Sequence, residues 1–287
     1  MRKRTILLAA ALLFCCAGAF AQEEDLAAAA ARYKASYERQ VRNVGLSGLG
    51  VETILDKWEI VAPDDPEMLS ARFNFLLDKS RSTDVVAKDA QKYLGNAPVL
   101  VLKDSEGRDV NYFEEQVFVD SLFAAALKTV DRAIEIAPYE LRYRFNKLSA
   151  MLSYEKDDPQ LTAQGVLELV KDYTSSKNSP WTLDGAALDE DLFCQAIGEY
   201  CYSFFKIGSP SSYERFREVA TRMNKLYPKN TVFINDLGSY WQVAEGNNKK
   251  ALRYYKKALK IDPEDYVALN NIRIIQLSQS RKDRPSK

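Results

Sequence analysis

Histidine occurs nowhere among the 287 residues. Its absence removes Ser-His and Cys-His nucleophile pairs, His-ligated zinc and the usual general base near neutral pH. Carboxylate, lysine, tyrosine and thiol chemistry remain. The carboxylates cluster at Asp64-Asp65, Asp157-Asp158 and Asp189-Glu190-Asp191. Each cluster stands where a helix is expected to start, and there acidic side chains cap unpaired amides and complement the helix dipole. Cys194 and Cys201 are seven residues apart, which on a helix puts them on one face about 10 Å apart along the axis. Bridged Cα atoms lie within about 7 Å, so a disulfide between them is not expected. The residue types therefore lead to no catalytic, metal or cofactor site, and a non-enzymatic role is expected.

The elements that would position such residues begin after a leader. Arg2, Lys3 and Arg4 precede the apolar run from Ile6 to Phe14, and Ala19-Phe20-Ala21 supplies a small-x-small cleavage pattern. This reads as an export signal over 1–21, cleaved before Gln22. A lipid-modified Cys15 or Cys16 is the rival reading, disfavoured because Phe14 and Cys15 stand where a small residue is wanted. Cleavage would leave 37 Lys and Arg against 40 Asp and Glu, a formal charge of −3. That balance is not a nucleic-acid profile, and no later stretch is long and apolar enough to span a membrane. The expected location is the periplasm or beyond.

Four helix ends run into proline, at Pro63, Pro138, Pro228 and Pro263. After each comes an apolar residue, an asparagine, any residue and Leu or Ile: Phe73-Asn74-Phe75-Leu76, Phe145-Asn146-Lys147-Leu148, Ile234-Asn235-Asp236-Leu237 and Leu269-Asn270-Asn271-Ile272. The last two prolines are 35 residues apart, close to the period of about 34 for a helix-turn-helix repeat. Periodicity predicts helices over about 24–42, then up to Pro63, and 66–79 paired with 117–137. Further pairs follow as 140–155 with 160–174, 190–206 with 211–227 and 231–245 with 247–261, with a last helix over 265–279 to cap the stack.

The period changes in one place. Val99-Leu100-Val101-Leu102 and Val110-Asn111-Tyr112-Phe113 flank the charged stretch Lys103 to Asp109, which reads as a β-hairpin that must lean on helices or a partner. A second departure is the loop Ser175 to Leu188 around Trp181, long enough to be functional or mobile. The chain thus divides into a leader over 1–21, degenerate helical repeats over 22–80 and the insertion over 81–116. Middle repeats with the Trp181 loop follow over 117–189, then C-terminal repeats with a capping helix over 190–280 and a disordered tail over 281–287.

The best copy of the repeat runs from Ile234 through Leu237, Gly238, Trp241, Gly246, Ala251, Tyr255 and Ala258 to Pro263. It resembles the tetratricopeptide-repeat pattern Trp-x-x-Leu-Gly…Tyr…Ala…Phe…Ala…Pro, with one extra residue in the turn. Cys194, Ile197, Gly198 and Cys201 make a weaker copy, which places both cysteines in the core. The copies at Phe73 and Phe145 have Leu77 and Ser149 in place of the glycine. With its leader and inserted hairpin, the chain is also similar to exported tetratricopeptide-repeat proteins of Bacteroidota. The fold implied is all-α, a right-handed superhelical solenoid of helix-turn-helix repeats interrupted by a β-hairpin.

In that family the first helix of each pair lines a concave groove, and the residue two before the motif's Leu faces it. Here those residues are Asn74, Asn146, Gln195, Asn235 and Asn270, all side-chain amides. An amide both donates and accepts, as pairing with an extended peptide backbone requires. The resemblance implies a protein or peptide partner bound in this groove by a scaffold of the cell envelope, with no cofactor. A carboxylate-gripping clamp is discounted because Asp236 and Ser239 replace the basic residues it needs. The alternative is a glycan-binding accessory protein using Trp181, the hairpin and nearby tyrosines for stacking. The oligomeric state is left open.

Overall fold

The computed structural model describes residues 25–176 and 178–282, with side chains as far as 280. The leader and the end of the predicted tail lie outside the described residues. The chain is mostly helical and forms two compact units: 1–82 with 117–147, and 83–116 with 148–287.

In the first unit, α1 spans 25–44 and α2 spans Val51–Val61. Gly45 and Gly50 turn the chain between them with φ near +85°, where a side chain would be strained. α2 buries Val51, Leu55 and Trp58, the i, i+4, i+7 stripe of an amphipathic helix. The Trp58 indole donates to Asp65 at 3.1 Å, and Asp65 also caps α3 (Pro66–Ser80) by accepting from the Glu67 amide. Pro66 opens that helix, where its missing amide proton costs nothing. α3 packs against α4 (Asp120–Ile136), which buries Phe123, Ala126, Val130 and Ala133. The two helices meet across the insertion as the apolar spacing implied, because the Val119 amide donates to the Ser80 carbonyl at 2.7 Å. α5 (Leu141–Glu155) begins here, where Arg142 and Tyr143 both hold Glu67.

The second unit contains a sheet rather than the expected lone hairpin. β1 (Arg81–Lys88), β2 (Leu100–Lys103) and β3 (Asp109–Phe118) lie in the order β1-β3-β2. Sequence reasoning missed β1 because Arg81 to Lys88 has no clear apolar alternation. β2 and β3 pair antiparallel, with Leu100 opposite Tyr112 and Leu102 opposite Val110.

The remaining helices are α6 (Gln160–Ser175), α7 (Glu190–Ile207), α8 (Pro210–Leu226), α9 (Thr231–Val243), α10 (Asn248–Ile261) and α11 (Tyr266–Lys282). α11 thus extends two residues into the predicted tail. Asp189, Ser209, Asn230 and Asn247 cap α7 to α10 through their side chains. At α6 the expected cap fails: the Asp158 carboxylate accepts from the Ser211 hydroxyl instead, and Ser209 donates to the Asp157 backbone carbonyl. Glu155, at the end of α5, accepts from the amides of Leu161 and Thr162 in their place.

The α9–α10 pair shows why its residue types recur. A Cβ on Gly238 would lie 2.4 Å from the Tyr255 ring, so only glycine lets the helices come this close. The Tyr255 hydroxyl then donates to Gln242 at 2.7 Å. Ile234, Ala251, Tyr255, Ala258, Ala268 and Ile275 form one core, with Trp241 packed against it. In the α5–α6 pair the close approach is supplied from the other side, where Gly165 faces Leu148. That explains how the Phe145 copy tolerates Ser149.

Candidate functional site

The five groove amides do not share one environment. Asn74 on α3 and Asn146 on α5 are half-buried and belong to the first unit. In the second unit Gln195 on α7 is exposed and Asn270 on α11 is half-buried. Asn235 is only 3% exposed, and its side-chain nitrogen donates to Asp265 at 2.8 Å. Asp265 in turn accepts from the Ala268 amide in the first turn of α11. Asn235 therefore ties α9 to the start of α11, and its Oδ1, though without a hydrogen-bond partner, is sealed from solvent. Burial by a following helix was not readable from a motif position alone.

Asp236 likewise faces inward. The residue as a whole is half-buried, yet its Oδ2 is sealed from solvent without a hydrogen-bond partner. Desolvation pushes its pKa up to about 8, against a smaller lowering by the Cys201 thiol. The same burial, with Asp236 beside it, raises the Cys201 pKa. Cys194 and Cys201 are both buried and not joined in a disulfide, and burial makes a thiol inert. Trp181 is 4% exposed, set edge-on against Tyr173 with its indole donating to the Ser176 carbonyl. The 175–188 loop folds over it through β4 (Thr182–Leu183) and β5 (Ala186–Ala187). Trp181 is thus a packing residue, and a sugar would find no open ring face there.

α5 and α7 run side by side in one direction. Ser149 meets Tyr200 at 3.2 Å, and further along Ser153 and Lys156 share a cavity with Ser203 and Lys206. The cavity holds about 310 Å³, and Leu94, Leu152 and Ile207 form its apolar walls. Leu94 arrives on the Tyr93–Asn96 turn of the insertion, whose Gly95 would put a Cβ 2.2 Å from the Lys206 carbonyl. Leu94 and Lys156 both hold positive φ, 49° and 59°, a backbone cost that persists only where surrounding contacts enforce it. Glu115 supplies such contacts, accepting from Tyr93 at 2.6 Å and Lys156 at 3.0 Å. These bonds hold the Glu115 carboxyl below its usual range, the Tyr93 bond contributing most. Nothing in the sequence paired Glu115 with Lys156, because they are far apart in the chain.

Chemically, this cavity offers ammonium and hydroxyl groups beside apolar walls, which suits binding. Among the described residues no group of three or more Cys, Asp or Glu is placed to hold a metal ion. No helix of the described residues is long and apolar enough to cross a membrane.

No family model matches the chain and no curated relative matches it. Among solved structures it is similar to the crystal structure of MamA protein, at a TM-score of 0.42 and 10% identity, over 82% of this chain and 93% of that one. MamA 41-end from Desulfovibrio magneticus RS-1 follows at 0.38 and 12%, over 83% and 97%. The MamA RS-1 ArsTM double mutant has the same values.

Proposed function

We propose that the protein is a non-catalytic interaction scaffold of tetratricopeptide-repeat type, a solenoid of the cell envelope that holds a partner protein's extended segment along its first-helix face. The observation that carries this reading is the cavity where α5 and α7 lie side by side. Its apolar walls suit a side chain of the ligand, while Lys156, Lys206 and the two serines suit a polar or acidic neighbour. Gln195, exposed on α7, is a separate candidate for backbone recognition, as are Asn74, Asn146 and Asn270, each within its own unit. The residues at the heart of the repeat, Leu237, Gly238, Tyr255, Ala251 and Ala258, are occupied by packing, which supports a binding surface over a reaction centre. The export signal over 1–21 supports the envelope location.

The test is retention of partners from envelope extracts on the immobilised protein, beside folded Gln195→Ala and Lys206→Glu variants. Partners held by the parent and lost from both variants support the reading. Partners retained equally by all three would sink it.

A further inference from the structure

The two edges of the sheet differ in chemistry. β1 carries Asp84 and Lys88, the kind of charge with which natural edge strands resist pairing. β2 carries no charge before Lys103, and Val99, Leu100, Val101 and Leu102 are 56%, 46%, 47% and 47% exposed. Its register is fixed by Leu100 opposite Tyr112 and Leu102 opposite Val110, and by the Asp104 amide donating to the Arg108 carbonyl. Backbone groups of the even-numbered residues thus point into the sheet, and those of Val101 and Lys103 point out of it. The Val99 amide turns inward to the Tyr112 carbonyl at 2.8 Å, which ends the outward-facing stretch there. By the same alternation Leu100 and Leu102 share a face with Tyr112 and Val110, while Phe113 is buried on the opposite face. β2 is thus an apolar strand with outward backbone groups, held by its pairing with β3.

We propose that β2 pairs antiparallel with β2 of a second copy of this chain, about a two-fold axis through Val101, joining two three-stranded sheets into one. Charge selects this direction, and in it the strand complements its own copy. In the antiparallel register Lys103 lies beside Val99 of the second copy and Asp104 beside Pro98, so no like charges are opposed. A parallel pairing would set Lys103 against its own copy. Leu100 falls opposite Leu102 across the junction, an apolar pair of the kind that stabilises sheets. The proposal uses residues separate from those of the α5–α7 cavity, so each can fail alone.

Sedimentation of the full chain over a concentration series tests it. A reversible dimer is expected, and Val101→Pro, which removes an outward amide and leaves the inward bonds of Leu100 and Leu102, should raise its dissociation constant by at least about tenfold. Val101→Lys keeps the strand and should act in the same direction, should the proline disturb folding. Val85→Lys on β1 should leave the dimer unchanged. Directly opposed residues of a hydrogen-bonded pair have Cα atoms about 5.5 Å apart, within the range of about 4.4–6.8 Å that a disulfide spans. On oxidation, Val101→Cys should therefore form a disulfide between the two copies, seen by mass spectrometry as a bridged peptide pair, and Lys103→Cys should not. A monomer at every concentration, a dimer indifferent to both Val101 substitutions, bridging through position 103 instead of 101, or a monomer that adds a foreign extended peptide along β2 would overturn it.

Discussion

Two glycines at the same motif position, on α7 and α9, show how far a repeat motif reaches. Gly238 matches the resemblance and has a measurable reason, since a methyl there meets the Tyr255 ring at 2.4 Å. Gly238→Ala should lower stability by about 1–3 kcal/mol through overpacking. Gly198 occupies the same motif position on α7, but its Cβ would meet Val232 at an ordinary 3.5 Å. Gly198→Ala should therefore be neutral, or stabilising by up to about 1 kcal/mol from helix propensity. Thermal melts of the two variants separate the cases, and equal losses would contradict the geometry.

Asp236 predicts a pH dependence. Its folded pKa of about 8 stands above the ordinary aspartate value of 3.8. An acid shifted this way contributes stability that is full below the unfolded pKa and is lost as pH rises through the folded one. Stability should fall from about pH 4 to pH 8, and Asp236→Asn should flatten that slope in denaturant titrations. Glu67 and Glu115 have lowered pKa values and act in the opposite sense, losing stability as pH falls below the ordinary carboxylate range. A wild-type slope unchanged by Asp236→Asn would place the titrating group elsewhere.

At the scale of elements, the insertion depends on a few polar anchors. Glu115→Gln keeps the shape of the side chain but removes the charge that Lys156 and Tyr93 engage. It should cost about 1–3 kcal/mol locally. Hydrogen exchange should quicken over 89–116 while α9 and α10 keep their protection. α11 is similarly pinned at its start, and Asp265→Ala should release both the Ala268 amide and Asn235. The loss of a cap costs about 1 kcal/mol, read as faster exchange in the first turns of α11.

The elements themselves were largely legible. Prolines, glycines and a 3.6-residue apolar period marked the helices, and the pairing of α3 with α4 was expected across the insertion. The sheet was half legible: apolar runs either side of a charged turn marked β2 and β3, whereas β1 pairs without a clear apolar pattern of its own. The site was the least legible. Asn235 looked like a ligand residue because motif position gives direction relative to one helix, and it is the following helix that covers it. Lys156 and Glu115 became neighbours only through tertiary contact.

For the whole molecule, the proposed stack of helix pairs implies that stability is set locally, each pair leaning on its neighbours. The protection lost in Gly238→Ala should therefore be largest in α9, α10 and α11 and smallest in the α3–α4 pair. A uniform loss across both would show a single cooperative transition instead.

The bond from the Val119 amide to the Ser80 carbonyl brings the two ends of the insertion together at its base. A helix pair whose ends already meet does not need what lies between them. The 81–118 segment is in that sense a graft: a stretch acquired, enlarged or shed at a single seam without disturbing the register of α3 on α4.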